Sequence, residues 1–291
     1  MNSFVKLKDV DLCYEIFGME NQQAIVLISG LGSQMIRWDD TFCQLLVDQG
    51  FRAIRFDNRD SGMSVFRSEK EFCFNGDFTS IKKDDVSYSL IDMTKDIIGL
   101  LDHLHIEKAH FVGRSMGGII AQLLGSYFPE RVLSLTIIMS TSLNPDLPPS
   151  DPEVMAMMMK TPVDPAIDKE GYINEKLFFA EKISGSQYPI DNVSEIQMIQ
   201  EELSRSKTKN GIIRQLLAMG SFQYNPEILK KIKVPTLVIH GIEDLIFHSD
   251  CGRDIADSIP NSEIMLIEGM GHAIPVELYD LITKNIVGII Q

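Results

Sequence analysis

Hydrophobic residues recur along this chain in short continuous runs, separated by longer stretches of helical spacing. A short apolar run is typical of a strand buried on both faces, whereas apolar residues three and four apart indicate an amphipathic helix. The predicted strands cover residues 24–28, 51–56, 109–112, 132–138 and 234–239, and the predicted helices cover about 38–49, 89–104 and 116–127. This alternation predicts the α/β class, a mostly parallel sheet with helices on both faces.

Two regions depart from this alternation. Residues 4–7 and 12–17 alternate apolar and polar positions about an Asp-Val-Asp turn, which predicts an antiparallel hairpin at the edge of the sheet. Between residues 140 and 225 no buried-strand run occurs. We therefore predict a mostly helical cap over 140–225, inserted into a core formed by 1–139 and 226–291.

Composition limits the partners that the protein can bind and the cellular compartment in which we expect it. With 291 residues, of which 44% are hydrophobic, the chain can bury one large core, and its formal charge of −14 disfavours nucleic acid and anionic membranes as partners. No apolar run reaches the roughly 18 residues that a membrane span needs, and the N-terminus lacks a signal-peptide core, so we expect a cytoplasmic protein. The four cysteines lack metal-ligand spacing and are expected to be reduced thiols. An oligomer is possible, but no sequence feature indicates one.

The strongest candidate for chemistry is a serine between two glycines. Residues 113–117 fit G-x-S-x-G, in which a strand turns sharply into a helix and holds the serine hydroxyl exposed at the bend. The pentapeptide alone is common by chance, but here a predicted strand precedes it and a predicted helix follows it. Ser115 is therefore the predicted nucleophile, and the Met116 N–H at the helix start faces developing negative charge.

A nucleophilic serine needs a histidine as base, and the histidine needs a carboxylate that orients it. His272 lies in a glycine-rich loop after a strand-like run and is the predicted base, with His248 in a polar loop as a minor candidate. Asp244 follows the strand that ends near residue 240, between serine and histidine in the chain, and is the predicted acid. Glu243, one position away, is chemically able as well.

A glycine-rich loop follows the first buried strand. Its sequence, Ser29-Gly30-Leu31-Gly32-Ser33, can aim several backbone N–H groups at one point, as an oxyanion hole requires. Gly30 and Gly32 are also predicted to border the substrate. The alternative, a phosphate-binding loop, fails because the Gly-Lys-Ser/Thr ending and the G-x-G-x-x-G fingerprint are both missing.

Taken together, these motifs resemble the α/β-hydrolase superfamily over nearly the whole chain. The resemblance extends to Phe56-Asp57-Asn58-Arg59-Asp60-Ser61-Gly62-Met63-Ser64, whose Asn-Arg-Asp-Ser-Gly form is similar to the branch containing the aclacinomycin-type polyketide methylesterases. It implies that the backbone N–H groups of Leu31 and Met116 form the oxyanion hole. Two departures concern the substrate: Ser29 stands where relatives have histidine, and Arg114 stands where histidine is common in the elbow.

This machinery predicts a serine hydrolase acting on a small-molecule carboxylic ester, with neither metal nor organic cofactor. The same residues serve enzymes that cleave lactones, amides or carbon–carbon bonds, or that use a peroxide acceptor, and these alternatives stay open. An aspartate nucleophile, as in dehalogenases and epoxide hydrolases, is excluded by Ser115. The alternative that is not primarily an enzyme is a ligand sensor, which would keep an intact triad but turn over very slowly.

Two stretches outside the predicted core are candidates for the substrate side. Residues 67–87 are highly charged and are predicted to form a surface loop near the mouth of the cleft. A methionine cluster contains Met155, Met157, Met158 and Met159, at least one of which we expect in the acyl or alcohol pocket, with Met155 and Met158 as the predicted substrate-binding residues. Ordinary helix packing is the alternative for this cluster.

Overall fold

A computed structural model describes residues 2–67, 85–161, 163–208 and 210–290. Its strands are β1 (Ser3–Lys6), β2 (Val10–Phe17), β3 (Gln23–Ile28), β4 (Phe51–Phe56), β5 (Val65–Phe66), β6 (Ala109–Arg114), β7 (Val132–Ile138), β8 (Thr236–Gly241) and β9 (Ser262–Ile267). Its helices are α1 (Asp40–Asp48), α2 (Leu90–His103), α3 (Met116–Tyr127), α4 (Pro152–Met159), α5 (Lys169–Ile183), α6 (Asn192–Arg205), α7 (Gly211–Gly220), α8 (Glu227–Lys230), α9 (Ser249–Ser258) and α10 (Tyr279–Gly288).

The strands form one mixed sheet in the order β1-β2-β4-β3-β6-β7-β8-β9, with the short β5 paired to β2. The pairs that involve β2 are antiparallel, and those from β4 through β9 are parallel. The predicted α/β class and edge hairpin are therefore confirmed. The two-residue strand β5 is too short to leave a periodic signal, and the sequence did not predict it.

Two apolar layers cover the central strands. Successive side chains of a strand point to opposite faces, so Phe111 of β6 joins the layer under α2 and α3, and Val112 joins the layer under α1 and α10. Helix α1 begins at Asp40, later than predicted, because the Asp39 side chain accepts the Thr41 N–H and so caps the helix. Strand β6 ends at Arg114, two residues beyond the predicted strand 109–112.

Among the described residues, five helices, α4 to α8, lie between β7 and β8 in the chain; α4 to α7 fall within 140–225, and the described part of that stretch contains no strand. The division into a core and a cap stays a prediction. Within the described ranges, no helix is long and apolar enough to cross a bilayer. The cytoplasmic location and the lack of nucleic-acid partners stay predictions too.

Candidate active site

Ser115 occupies the bend between β6 and α3. Its φ and ψ are 54° and −124°, a strained conformation for a residue with a side chain. The bend is held on both sides, because the Ser115 N–H donates to the Ile138 carbonyl at 3.0 Å and the Ser140 hydroxyl donates to the Ser115 carbonyl at 2.8 Å. The structure therefore places the predicted nucleophile on a fixed backbone at the carboxyl end of a central strand.

The two glycines of the elbow are required by close approach of backbone. A Cβ atom at Gly113 would overlap the Gly117 carbonyl, and one at Gly117 would overlap the Ile28 carbonyl of the neighbouring strand. Neither obstacle is a flexible side chain that could move aside. The spacing of glycine, serine and glycine thus follows from how tightly α3 packs against β3 and β6.

Ser115, His272 and Asp244 form one chain of contacts. His272 Nε2 lies 3.0 Å from Ser115 Oγ, and His272 Nδ1 lies 2.7 Å from Asp244 Oδ2. The Phe247 ring packs edge-on against the imidazole, 5.6 Å between centroids. These separations are within hydrogen-bond reach, so the arrangement can pass a proton from the hydroxyl to the imidazole.

Asp244 is buried and fully engaged. One carboxylate oxygen accepts the N–H groups of Ile246 and Phe247, at 2.8 and 2.9 Å, and the other faces His272. Burial alone would raise its pKa, but His272 and the buried His240, whose Nε2 lies 3.3 Å from the carboxylate, hold the pKa of Asp244 below its usual range. The sequence indicated only that His240 ends a strand. Its contact with Asp244 comes from the turn between them.

Glu243, the chemically able neighbour, points elsewhere. Its two carboxylate oxygens accept the Ser186 N–H and the Ser186 hydroxyl, each at 2.7 Å. His248 likewise has another partner, because its Nδ1 accepts the Asp250 N–H at the start of α9. Of the residues that the sequence left in competition, the structure brings Asp244 and His272 to Ser115.

The loop after β3 borders Ser115. A Cβ atom at Gly30 would lie 3.1 Å from Ser115 Cβ and 3.5 Å from its Oγ. The Gly32 N–H is already used, because it donates to Gln215 Oε1 at 2.7 Å. Among the residues that the structure describes, the N–H groups of Leu31 and Met116 have no protein acceptor. Both can therefore donate to a bound oxygen atom.

A comparison with protein families identifies this architecture. Residues 23–277 match the model of the family described as alpha/beta hydrolase fold. The chain belongs to the alpha/beta hydrolase family. Among curated members, it is similar to the rhodomycin D methylesterase of Streptomyces sp. strain C5, with 26% identity over 291 aligned positions that cover 94% of this chain and 92% of that protein.

Two solved hydrolase structures share the fold across the whole chain. The enol-lactonase of Burkholderia xenovorans is 23% identical, with a TM-score of 0.72 and coverage of 99% of both chains. A meta-cleavage product hydrolase of Pseudomonas fluorescens is 20% identical, with a TM-score of 0.71 and coverage of 96% of this chain and 94% of that one. At these identities the likeness shows the alpha/beta hydrolase fold alone.

In this alpha/beta hydrolase the segment 57–64 connects the sheet to α6 and α7. Buried Asp57 receives a hydrogen bond from Arg205 at 2.8 Å, and buried Asp60 forms a two-pronged pair with Arg214 at 2.5 and 2.6 Å. Between them Arg59 pairs instead with Asp96 of α2, at 2.6 and 2.7 Å. The motif that carried the resemblance thus positions the helices above the site, a role that its sequence did not reveal.

Helix α5 also reaches the site, through backbone contacts. The His272 N–H donates to the Ile183 carbonyl at 2.6 Å, and the Gly271 N–H donates to the Ser184 carbonyl at 3.0 Å. The C-terminus of α5 therefore holds the loop that carries His272. The two segments lie about ninety positions apart in the chain, so no local pattern could indicate this contact.

The predicted substrate methionines lie on α4. Its buried residue is Val154, whereas Met155 is 41% exposed and Met158 is half-buried. Their participation in a substrate pocket stays a prediction. Most of the predicted surface loop at 67–87 lies outside the described residues, which resume at Asp85.

Proposed function

We propose that this alpha/beta hydrolase cleaves carboxylic esters of small, largely apolar molecules, with Ser115 as nucleophile, His272 as base and Asp244 as the orienting acid. The observation that carries the proposal is the contact chain from Ser115 Oγ through the imidazole to a buried carboxylate, at 3.0 and 2.7 Å. The methylesterase relative is consistent with ester chemistry.

In the acylation step, Ser115 Oγ attacks the ester carbonyl carbon while its proton moves to His272 Nε2. The carbonyl oxygen becomes an oxyanion, which accepts hydrogen bonds from the Leu31 and Met116 N–H groups. The carbon–oxygen bond to the alcohol then breaks, and the alcohol leaves with the proton from His272. Asp244 holds the imidazole in the required tautomer and stabilises the transient imidazolium.

In the deacylation step, a water molecule gives one proton to His272 Nε2 and its oxygen attacks the acyl-enzyme. Collapse of the second tetrahedral species expels Ser115 Oγ, which takes the proton back, and the acid is released. Loss of one oxyanion donor typically slows such steps about 100- to 1000-fold.

The test is covalent labelling with a fluorophosphonate, read by intact mass, followed by turnover of 4-nitrophenyl esters of increasing acyl length. We expect one adduct on the wild type and none on Ser115→Ala. Ser126→Ala is the matched control, since Ser126 lies on the same helix α3 and should leave labelling unchanged.

Turnover that peaks at one acyl length would support an esterase and size its pocket. Labelling without turnover across the panel would contradict ester hydrolysis and favour a sensor or a different scissile bond. Full turnover by Ser115→Ala would refute the assignment of the nucleophile.

A further inference from the structure

Arg114 brings a positive charge to the loop that borders the proposed nucleophile. It directly precedes Ser115, and its Nη2 donates to Ser33 Oγ at 2.6 Å, in the same loop whose Gly30 borders Ser115. Its guanidinium carbon lies 5.1 Å from the centroid of the buried Trp38 ring, which supports the group from one side. Ser33 and the indole therefore hold the guanidinium against the loop that borders Ser115.

This arginine has no carboxylate partner in the described part of the chain. Arg37, close by, is bound by two: its Nη1 lies 2.8 Å from Glu195, and its Nη2 lies 2.8 Å from Glu202. Arg59, Arg205 and Arg214 each have an aspartate partner as well. Arg114 makes its one hydrogen bond to a neutral hydroxyl, and none of the described acidic side chains lies within ion-pair distance of it.

An unpaired guanidinium in this position is energetically unfavourable. Burial and the charge of Arg37 lower the pKa of Arg114 to about 10, and Tyr279, Glu202 and Glu195 offset this only in part, so the group remains protonated at neutral pH at a cost. A neutral side chain could hold Ser33 without that cost. Within the described residues, the unused N–H groups and the lack of a directly paired carboxylate both indicate that Arg114 can take a partner from outside the protein.

We propose that Arg114 binds a carboxylate of the substrate, so that the preferred ester carries a free acid group near its scissile bond. A guanidinium presents two parallel N–H groups that match the two oxygens of a carboxylate. The chain carries a net charge of −14, so its surface repels anions in general. The Arg114 guanidinium would then favour only those carboxylates that reach it. This inference rests on the proposed ester hydrolysis and names its substrate class.

The test compares a charged ester with a neutral one of similar length, mono-4-nitrophenyl glutarate and 4-nitrophenyl valerate. We expect the Arg114→Gln variant to lose about 10- to 100-fold in kcat/KM for the glutarate, mainly through KM, as expected for a hydrogen-bonded charged pair. The valerate should change less than about threefold. Arg114→Lys should keep part of the preference, because it retains the charge but not the paired N–H groups.

Arg131→Gln is the control for a general loss of positive charge, since Arg131 pairs with Asp102 away from the site. It should leave the ratio of the two esters unchanged. Equal losses on both esters in Arg114→Gln would overturn the proposal and indicate that Arg114 only positions the Ser33 loop. Unchanged kcat/KM for both esters in that variant would overturn it as well.

A binding measurement separates this inference from the proposed reaction. Glutarate should slow fluorophosphonate labelling of the wild type and raise its melting temperature, and both effects should be lost in Arg114→Gln. If neither ester is turned over while glutarate still protects in an Arg114-dependent manner, ester hydrolysis fails and the carboxylate site stands. If esters are turned over but glutarate protects both proteins equally, or neither, the carboxylate site fails.

Discussion

The setting of Ser115 and the helices α4 to α6 are held in place by different forces. Strand β6 and helix α3, on either side of Ser115, are almost entirely buried in apolar layers. Helices α4, α5 and α6 each bury a single residue, Val154, Ile173 and Ile199. Apolar packing thus fixes the nucleophile, whereas ion pairs and hydrogen bonds fix the helices beside it.

This difference suggests that the proposed chemical step and the binding of substrate depend on different parts of the molecule. Apolar layers are close-packed and resist small displacements, which suits atoms that must stay within tenths of an ångström of each other. A polar contact such as Arg205 with Asp57 joins one pair of side chains, so a single substitution removes it. Substitutions in the sheet near Ser115 should therefore lower kcat. Substitutions in α4 to α6 should lower the free energy of unfolding and raise KM.

The largest effect is expected from Asp244→Asn. The substitution keeps the shape of the side chain but removes the negative charge that orients and stabilises the imidazole, so kcat should fall on the order of 10,000-fold. Ester turnover under saturating substrate measures it. Glu243→Gln is the matched control, because Glu243 contacts Ser186 rather than His272. A larger loss in the control than in Asp244→Asn would contradict the proposed acid.

Arg205→Gln tests the polar attachment of α6. Its loss leaves buried Asp57 with only the N–H groups of Met35 and Met63, so the free energy of unfolding should fall by about 3 kcal/mol. Urea denaturation measures the change. Arg253→Gln is the control, because its exposed pair with Asp250 should contribute less than about 0.5 kcal/mol. Equal changes in both variants would mean that the buried pair does not hold the helix.

Gly30→Ala tests how tightly the loop must fit against Ser115. The added methyl group would lie 3.1 Å from Ser115 Cβ, closer than ordinary contact, and must displace the loop or the serine. A shift of that kind typically costs about 100-fold in kcat. Gly288→Ala, where a methyl group meets nothing within 4 Å, is the control for turnover. Unchanged kcat in Gly30→Ala would show that the loop can retreat freely.

His240→Leu tests the second histidine on Asp244. We expect a loss of about 2 kcal/mol in unfolding free energy at pH 7, because His240 Nε2, which lies 2.8 Å from the Phe247 carbonyl and 3.3 Å from the Asp244 carboxylate, is removed. The low pKa of Asp244 makes this contribution fully present above the ordinary aspartate pKa of about 3.9 and lost as pH falls through the lower folded value. The difference from wild type should therefore shrink below about pH 4 in urea titrations.

His240→Gln is the companion variant, since its amide can still donate to Asp244 and should recover part of the stability at pH 7. A pH-independent difference between His240→Leu and wild type would contradict a role through the carboxylate.

The smallest effect is expected from Met155→Ala. This side chain is already 41% exposed, so its removal should change KM for the longest acyl ester by less than about threefold. Met158→Ala removes a half-buried side chain and should raise that KM more. Kinetics with the longest and shortest esters of the panel measure both. A tenfold effect of Met155 confined to long esters would instead place it inside the pocket.

Periodicity predicted the sheet well, because buried strands between helices leave apolar runs that few other structures produce. The order of serine, acid and histidine narrowed the site to residues that the structure brings together. The sequence predicted Asp244 as the acid but left Glu243 chemically able, since both side chains belong to the same turn. The structure separates them through Ser186, which lies 57 positions away.

The features missed by sequence reasoning depend on what is close in space. The sequence does not distinguish Arg114, which has no acidic partner among the described residues, from Arg37, Arg59, Arg205 and Arg214, which have one. The second contact of Asp244, with His240, likewise depends on the turn that joins them. Ion pairs between segments that are far apart in the chain leave no repeating pattern in the sequence, so one sequence does not predict them.

The segment 57–64 has a consequence for efforts to reduce this protein to a minimal catalyst. Deleting α4 to α7 would leave the triad residues in the chain but would strip Arg205 and Arg214 from two aspartates with fully buried side chains. Without these arginines the two carboxylates would have to take up protons or draw water to the carboxyl end of β4, an inner strand of the sheet. A shortened version would therefore need Asp57 and Asp60 replaced by neutral residues before its strands could be expected to hold together.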